Sequence, residues 1–168
     1  MAVSIKFQNR FIELVAESEI KKKTEIAQNI GIVYSIFCKI YNYGILPTVP
    51  ILIRIADYFN ISVEYLLGNT DNDYFCESEF PKTFSERIEE LRIKEGIPTT
   101  CKLAEKIHFH RNCIAKWKIN EYIPAISDIE NIADYFNVSI DYLLGRTDDP
   151  SPYKNSLSFY CNTVSYKC

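Results

Sequence analysis

The sequence predicts an all-α fold built from two tandem five-helix units with a short irregular C-terminal tail, and three observations lead there. The stretch IADYFNISVEYLLGNTD, beginning at Ile55, returns as IADYFNVSIDYLLGRTD at Ile132, and the residues upstream keep the same spacing of 77 without a gap. Such self-similarity means one supersecondary unit written twice. Within both copies the apolar side chains recur at intervals of three and four, the period of a helix that buries one face. No alternating strand pattern competes with that period inside either copy.

Aligning Phe7 to Asn72 with Phe84 to Asp149 pairs Phe7/Phe84, Arg10/Arg87, Leu14/Leu91, Ala27/Ala104, Ile30/Ile107, Lys39/Lys116 and Pro47/Pro124. About a third of the aligned positions are identical. Each unit is large enough to hold a small core of its own, since domains of roughly 55 to 65 residues fold alone. The expected organisation is a first unit over 1–72, a connection over 73–83, a second unit over 84–149 and a tail over 150–168.

Composition narrows the class. Apolar content of 47% and charged content of 24% lie in the globular range. No run approaches the roughly 18 apolar residues of a membrane span, and Met1 to Lys6 lacks the basic start and apolar stretch of a signal peptide. A cytoplasmic protein with no membrane partner is expected. The six cysteines show no CxxC pair, which suits a reducing compartment. A net charge of -3 argues against a basic coat over the whole surface, although a sum can hide a local patch.

The elements follow in order. In the first copy Phe7, Phe11 and Leu14 mark helix one, Ile26 and Ile30 helix two, Phe37 and Ile40 helix three, and Leu52, Ile55, Ala56 and Phe59 helix four. In the second copy the corresponding sets are Phe84, Ile88 and Leu91; Leu103 and Ile107; Ile114 and Trp117; and Ile129, Ile132, Ala133 and Phe136. Pro98 and Thr99 precede helix two of the second copy, and Asn120 to Pro124 follow its helix three. Ser62 and Ser139 are placed to cap the last helices, with Glu64 and Asp141 suited to the positive ends of those same helices. Gly68 and Gly145 follow them, where a left-handed stop is commonly needed. The connection Asp73 to Thr83 is acidic, aromatic and carries Pro81, which predicts a short, partly packed link; the tail loses helical spacing.

Helix two, a short turn and helix three of the second copy read LAEKI-HFH-RNCIAKW, with Ala104 where two helices must approach closely at a steep angle. Together with Pro124 after helix three and the YLLG ending, this resembles the Cro/C1 (XRE-like) helix-turn-helix family of transcriptional regulators, which has the lambda-repressor-like fold. The resemblance extends over both copies, nearly all of Phe7 to Asp149. It implies double-stranded DNA as partner, no cofactor, and the start of helix three in the major groove, with Arg111, Asn112 and Lys116 as base readers. Arg and Lys donate to guanine acceptors and Asn pairs bidentately with adenine, each good pair discriminating by about 1–3 kcal/mol. His110 and Cys113 flank these positions, and Thr99 and Thr100 offer hydroxyls and N–H groups to a phosphate. From Thr99 to Asn120 five basic residues face Glu105 alone, so a basic edge is expected on an acidic protein.

The first copy differs at the reading positions. Val33, Tyr34, Ser35, Ile36 and Cys38 replace His110, Arg111, Asn112, Cys113 and Ala115, and only Lys39 keeps a basic reader. Lys21, Lys22 and Lys23 precede helix two and are candidates to grip the DNA backbone. Tyr34, Ile36, Tyr41 and Tyr43 form an apolar and aromatic face that suits a protein partner or self-association. Gly31 keeps the glycine that the family places in the turn, while His108 stands there in the second copy. The acidic residue and glycine that the family shows after helix three are replaced by Lys118 and Asn120, and by Tyr41 and Tyr43, which puts loop geometry in question.

Cys101, His108, His110 and Cys113 gather within thirteen residues, yet their spacing matches no zinc module, so no metal site is expected. Trp117 shares an apolar face with Ile114 and reads as core. No nucleophile, base and orienter stand together, so no enzymatic function is expected. The predicted function is a sequence-specific DNA-binding regulator, repressor-like and of phage or mobile-element type. The alternative is an antirepressor or adaptor that keeps the scaffold without specific DNA binding.

Overall fold

Ser4 opens the first of ten helices among the described residues by accepting from the Phe7 amide; those residues are 2–118 and 123–152 of this computed structural model. The side chains of 111, 112, 115 and 118 also lie outside the described set, as does the tail beyond Pro152. The helices are α1 (Ile5–Glu17), α2 (Lys23–Ile30), α3 (Tyr34–Tyr43), α4 (Val49–Phe59), α5 (Val63–Leu67), α6 (Phe84–Lys94), α7 (Thr100–Lys106), α8 (Arg111–Lys118), α9 (Ile126–Phe136) and α10 (Ile140–Leu143). The only extended pairing described is an isolated antiparallel bridge between Val3 and Ile45. The all-α expectation holds on these residues.

Helix boundaries follow from local chemistry. Thr83 and Glu86 form a reciprocal capping box at α6, and Ser62 and Ser139 accept from the amides of Tyr65 and Tyr142 at 3.0 Å. Asn60 and Asn137 close α4 and α9 in the left-handed conformation, each with φ near +50°. The expectation of awkward loop geometry after helix three is resolved in the first copy by Gly44. There α3 continues through Tyr43, and Gly44 one residue later closes it at φ +61°.

The repeat also governs a polar arrangement that spacing did not reveal. Arg10 lies over the Tyr65 ring at 4.0 Å and reaches Asp71 at 3.0 Å, and Arg87 lies over Tyr142 at 4.2 Å and pairs with Asp148. These are the same three repeat positions. Each arginine ties the first helix of its copy to the segment after the last.

The buried apolar side chains of both halves form one contiguous cluster from Phe7 to Leu143. At the junction α5 and α10 exchange their acids. Asp141 Oδ2 accepts from the Val63 amide at 2.8 Å, and Glu64 Oε1 accepts from the Ile140 amide. The sequence placed each acid at its own helix's positive end; instead each serves the first amide of the other helix. Arg146 reinforces this exchange, pairing with Asp141, with Asp57 at 2.8 Å and with the Ile61 carbonyl at 3.0 Å. Its guanidinium also lies 4.3 Å from the centre of the Phe75 ring.

The connection between the copies is held rather than loose. Ser78 is buried, its amide donates to the Arg146 carbonyl at 2.8 Å, and its hydroxyl donates to Asp148 at 2.6 Å. Among the described residues no helix is long and apolar enough to cross a membrane.

Candidate nucleic-acid interface

α7 and α8 pack at a turn whose geometry is fixed by two residues. Ala104 is fully buried, as close helix packing requires, and its carbonyl accepts from the Phe109 amide at 2.8 Å. His108 takes φ +59° to reverse the chain, a conformation that costs most side chains about 1–2 kcal/mol. In the first copy the Ala27 carbonyl accepts from the Ile32 amide at 2.9 Å, with Gly31 at φ +74°. The turn is therefore the same in both copies, and histidine occupies the glycine's place as the sequence suggested.

Trp117 anchors α8 from beneath. It is 2% exposed and meets Phe84 and Phe109 edge-on, with centroids 5.5 and 5.3 Å away. This pins the inward side of the helix, in line with its expected place in the core. On the outward side Lys116 is exposed, as is its counterpart Lys39 on α3. The backbone of Arg111 and Asn112 forms the first turn of α8, while their side chains lie outside the described residues.

The flanking residues divide. Thr99 and His110 are exposed, Thr100 is half-buried, and Cys113 packs partly against the core. Thr99 Oγ1 caps α7 by accepting from the Lys102 amide at 3.2 Å, so only its hydroxyl proton remains to donate to a phosphate. Lys102 reaches Glu105 at 2.9 Å in an exposed pair of the kind that contributes about 0–1 kcal/mol. Lys106 and Lys116 extend the exposed basic edge.

In the first copy Lys21, Lys22 and Lys23 are all exposed. Lys23 Nζ sits 3.5 Å from the centre of the Tyr41 ring, a contact that spacing did not reveal and that joins the start of α2 to α3. The expected aromatic face is smaller than the sequence suggested. Tyr34 and Tyr43 are 45% and 66% exposed, whereas Ile36 and Tyr41 pack against the core. Tyr34, Phe37 and Tyr41 stack along α3, so the stripe runs along the boundary between core and solvent rather than over the outer face. A hydrogen bond with the Cys38 thiol raises the Tyr34 phenol above its ordinary pKa.

No group of three or more His, Cys, Asp or Glu side chains is arranged to hold a metal ion among the described residues.

Residues 85–148 match the family model described as a helix-turn-helix domain. The chain is also 32% identical, over 69 residues, to a Bacillus subtilis (strain 168) protein named as the uncharacterized HTH-type transcriptional regulator YobD. That alignment spans 41% of this chain and 61% of the relative's length. No solved structure matches. Neither similarity is to an enzyme, and both are to helix-turn-helix proteins, the class to which the α7–turn–α8 arrangement points.

Proposed function

We propose that this protein is a sequence-specific DNA-binding transcriptional regulator of the Cro/C1 type, acting in the cytoplasm. The observation that carries the reading is the α7–turn–α8 unit, with left-handed His108, buried Trp117 and exposed Lys116, inside the segment similar to a helix-turn-helix domain. In this reading residues 1–72 and 84–149 are two lambda-repressor-like units joined by 73–83, and α8 of the second enters the major groove. Arg111, Asn112 and Lys116 read bases, Thr99, Thr100 and His110 hold phosphates, and Lys21, Lys22, Lys23 and Lys39 grip backbone on the other side. The reciprocal α5–α10 junction supports an arrangement in which the two units stand as the halves of a repressor dimer, with unequal half-sites.

Selection of duplexes from a random pool at low salt tests this. Replacing Arg111, Asn112 or Lys116 by alanine is expected to cost about 1–3 kcal/mol and relax preference at one position each. Removing Lys21, Lys22 and Lys23 together is expected to weaken all sequences alike and flatten the salt dependence by about one unit per lost phosphate contact. Enrichment of no duplex at all overturns the reading.

A second reading rests on Tyr34, Tyr43 and Val33, which are exposed on and beside α3 where the second copy carries Arg111, Asn120 and His110. In it the first unit meets a protein partner or a second copy, and the protein acts as an antirepressor or adaptor. In that reading neither the parent chain nor the Tyr34→Ala, Tyr43→Ala variant selects a duplex, and the double substitution abolishes the partner contact.

A further inference from the structure

The two copies build the turn alike but finish the space behind it differently. In the first copy Arg54 of α4 donates from Nη1 to the Gly31 carbonyl at 3.0 Å, tying α4 to the turn before α3. In the second copy the matching residue is Asn131 on α9, whose shorter side chain makes no such bond among the described residues. A cleft of about 520 Å³ stands there, between α9 and the end of α7.

The apolar lining of this cleft repeats the first copy in kind. Ile107 is buried, Phe109 is half-buried with its ring 5.3 Å from that of Trp117, and Tyr135 stands where the first copy has Tyr58. The polar lining is new. Lys106, His108, Asp128 and Asn131 occupy the positions of Asn29, Gly31, Ile51 and Arg54, so a cation and a carboxylate have appeared while the arginine has gone. Lys106 on α7 and Asp128 on α9 line one cleft, yet neither forms an ion pair among the described residues. Opposite charges held apart over an apolar floor are the few placed polar groups by which a pocket orients a small ligand.

We propose that this cleft binds a free amino acid, its ammonium held by Asp128 and the His108 carbonyl and its carboxylate by Lys106 and the Asn131 amide. The first copy places the cationic end. The Phe109 amide donates to the Ala104 carbonyl as the Ile32 amide does to that of Ala27, so the repeated turn presents the His108 carbonyl to α9 as it presents the Gly31 carbonyl to α4. There that carbonyl accepts from a cation. Lys106 supplies the opposite charge for the other end, and hydrogen bonds to ionised groups are roughly twice as strong as those between neutral ones. Phe109 and Tyr135 offer ring surface to an apolar or aromatic side chain. A ligand held at both ends joins α7 to α9 and stabilises the folded chain by mass action.

Thermal unfolding of the full chain with each protein amino acid in turn, at millimolar concentrations and constant ionic strength, is the test. A saturable rise in Tm is expected with at least one that has an apolar or aromatic side chain, and not with the amine or the carboxylic acid that lacks one of its charged ends. Asp128→Asn and Lys106→Met each remove one charge and are expected to abolish that rise. Asn131→Arg restores the arginine of the first copy and is expected to abolish it too. In heteronuclear NMR spectra the same amino acid is expected to shift the His108 and Asp128 amide signals. The proposal is overturned by no saturable rise with any amino acid, by an equal rise with the amine or acid alone, by a rise that persists in Asp128→Asn or Lys106→Met, or by His108 and Asp128 signals that do not move. Should one charge variant not fold, the other decides. None of these outcomes depends on DNA binding.

Discussion

Glu64 occupies a place where a charge is expensive, and its titration should be visible in the stability of the whole protein. Its carboxyl is raised first by burial and then by the hydrogen bond and repulsion from Asp141. The native state therefore binds more protons than the unfolded chain at pH values between the ordinary glutamate range, about 4.3, and the raised native value. Stability is expected to fall as pH rises through that window, and Glu64→Gln is expected to remove this part of the fall in urea titrations across the same pH range. Two glycines make a second contrast. Gly145 has φ +73°, and a Cβ there would overlap the Lys82 backbone, whereas Gly31 has φ +74° with open space around it. Gly31→Ala is expected to cost about 1–2 kcal/mol, the left-handed penalty alone, and Gly145→Ala clearly more in the same denaturation measurement. The burial of Trp117 was legible in the sequence because Ile114 marked its face. The partner of Glu64 was not, because an acid two residues after a capping serine suits its own helix end and a neighbour's equally well.

At the scale of elements, the starts of the last helices were legible because Ser62 and Ser139 announce them through fixed hydrogen-bond chemistry, whereas α2, α3, α4 and α9 begin without a side-chain cap. The capping box at Thr83 was not read from the sequence: its hydroxyl accepts from the Glu86 amide, and Glu86 accepts from the Thr83 amide at 2.7 Å, which also lowers the Glu86 pKa. Thr83→Ala is expected to cost about 1 kcal/mol, read from chemical denaturation. The outer face of α3 was less legible. Tyr34 and Tyr41 share a side of the helix, but Gln8 of α1 donates to the Tyr41 carbonyl at 3.0 Å and Lys23 covers the Tyr41 ring, so the two tyrosines end in different surroundings. Periodicity reports which side a residue is on and not how far the neighbouring helices reach over it.

For the whole molecule, the repeat led to an expectation of two units but did not reveal that the buried apolar side chains of both halves join in one cluster. Among the described residues the charged groups at the junction include Glu64, Asp141, Arg146 and Asp57. Arg146→Ala leaves Asp141 buried beside Glu64 without its cation and is expected to cost about 3–5 kcal/mol. The single Trp, at position 117, gives a way to see more. In the native protein its fluorescence and far-ultraviolet circular dichroism are expected to lose signal together in urea. In Arg146→Ala the two transitions are expected to separate, because fluorescence follows the second half while dichroism follows both.

The exchange of Glu64 and Asp141 between α5 and α10 has the form of a contact between two identical subunits, yet both partners belong to one chain. Its strength is then indifferent to dilution, because neither half can diffuse away from the other. A further freedom follows. In a pair of identical subunits every substitution is made twice, on both sides of the axis, so a change that helps one side must be tolerated by the other. Here Asn69 stands at the repeat position of Arg146, and Tyr34 at that of Arg111. Each half has been able to change alone.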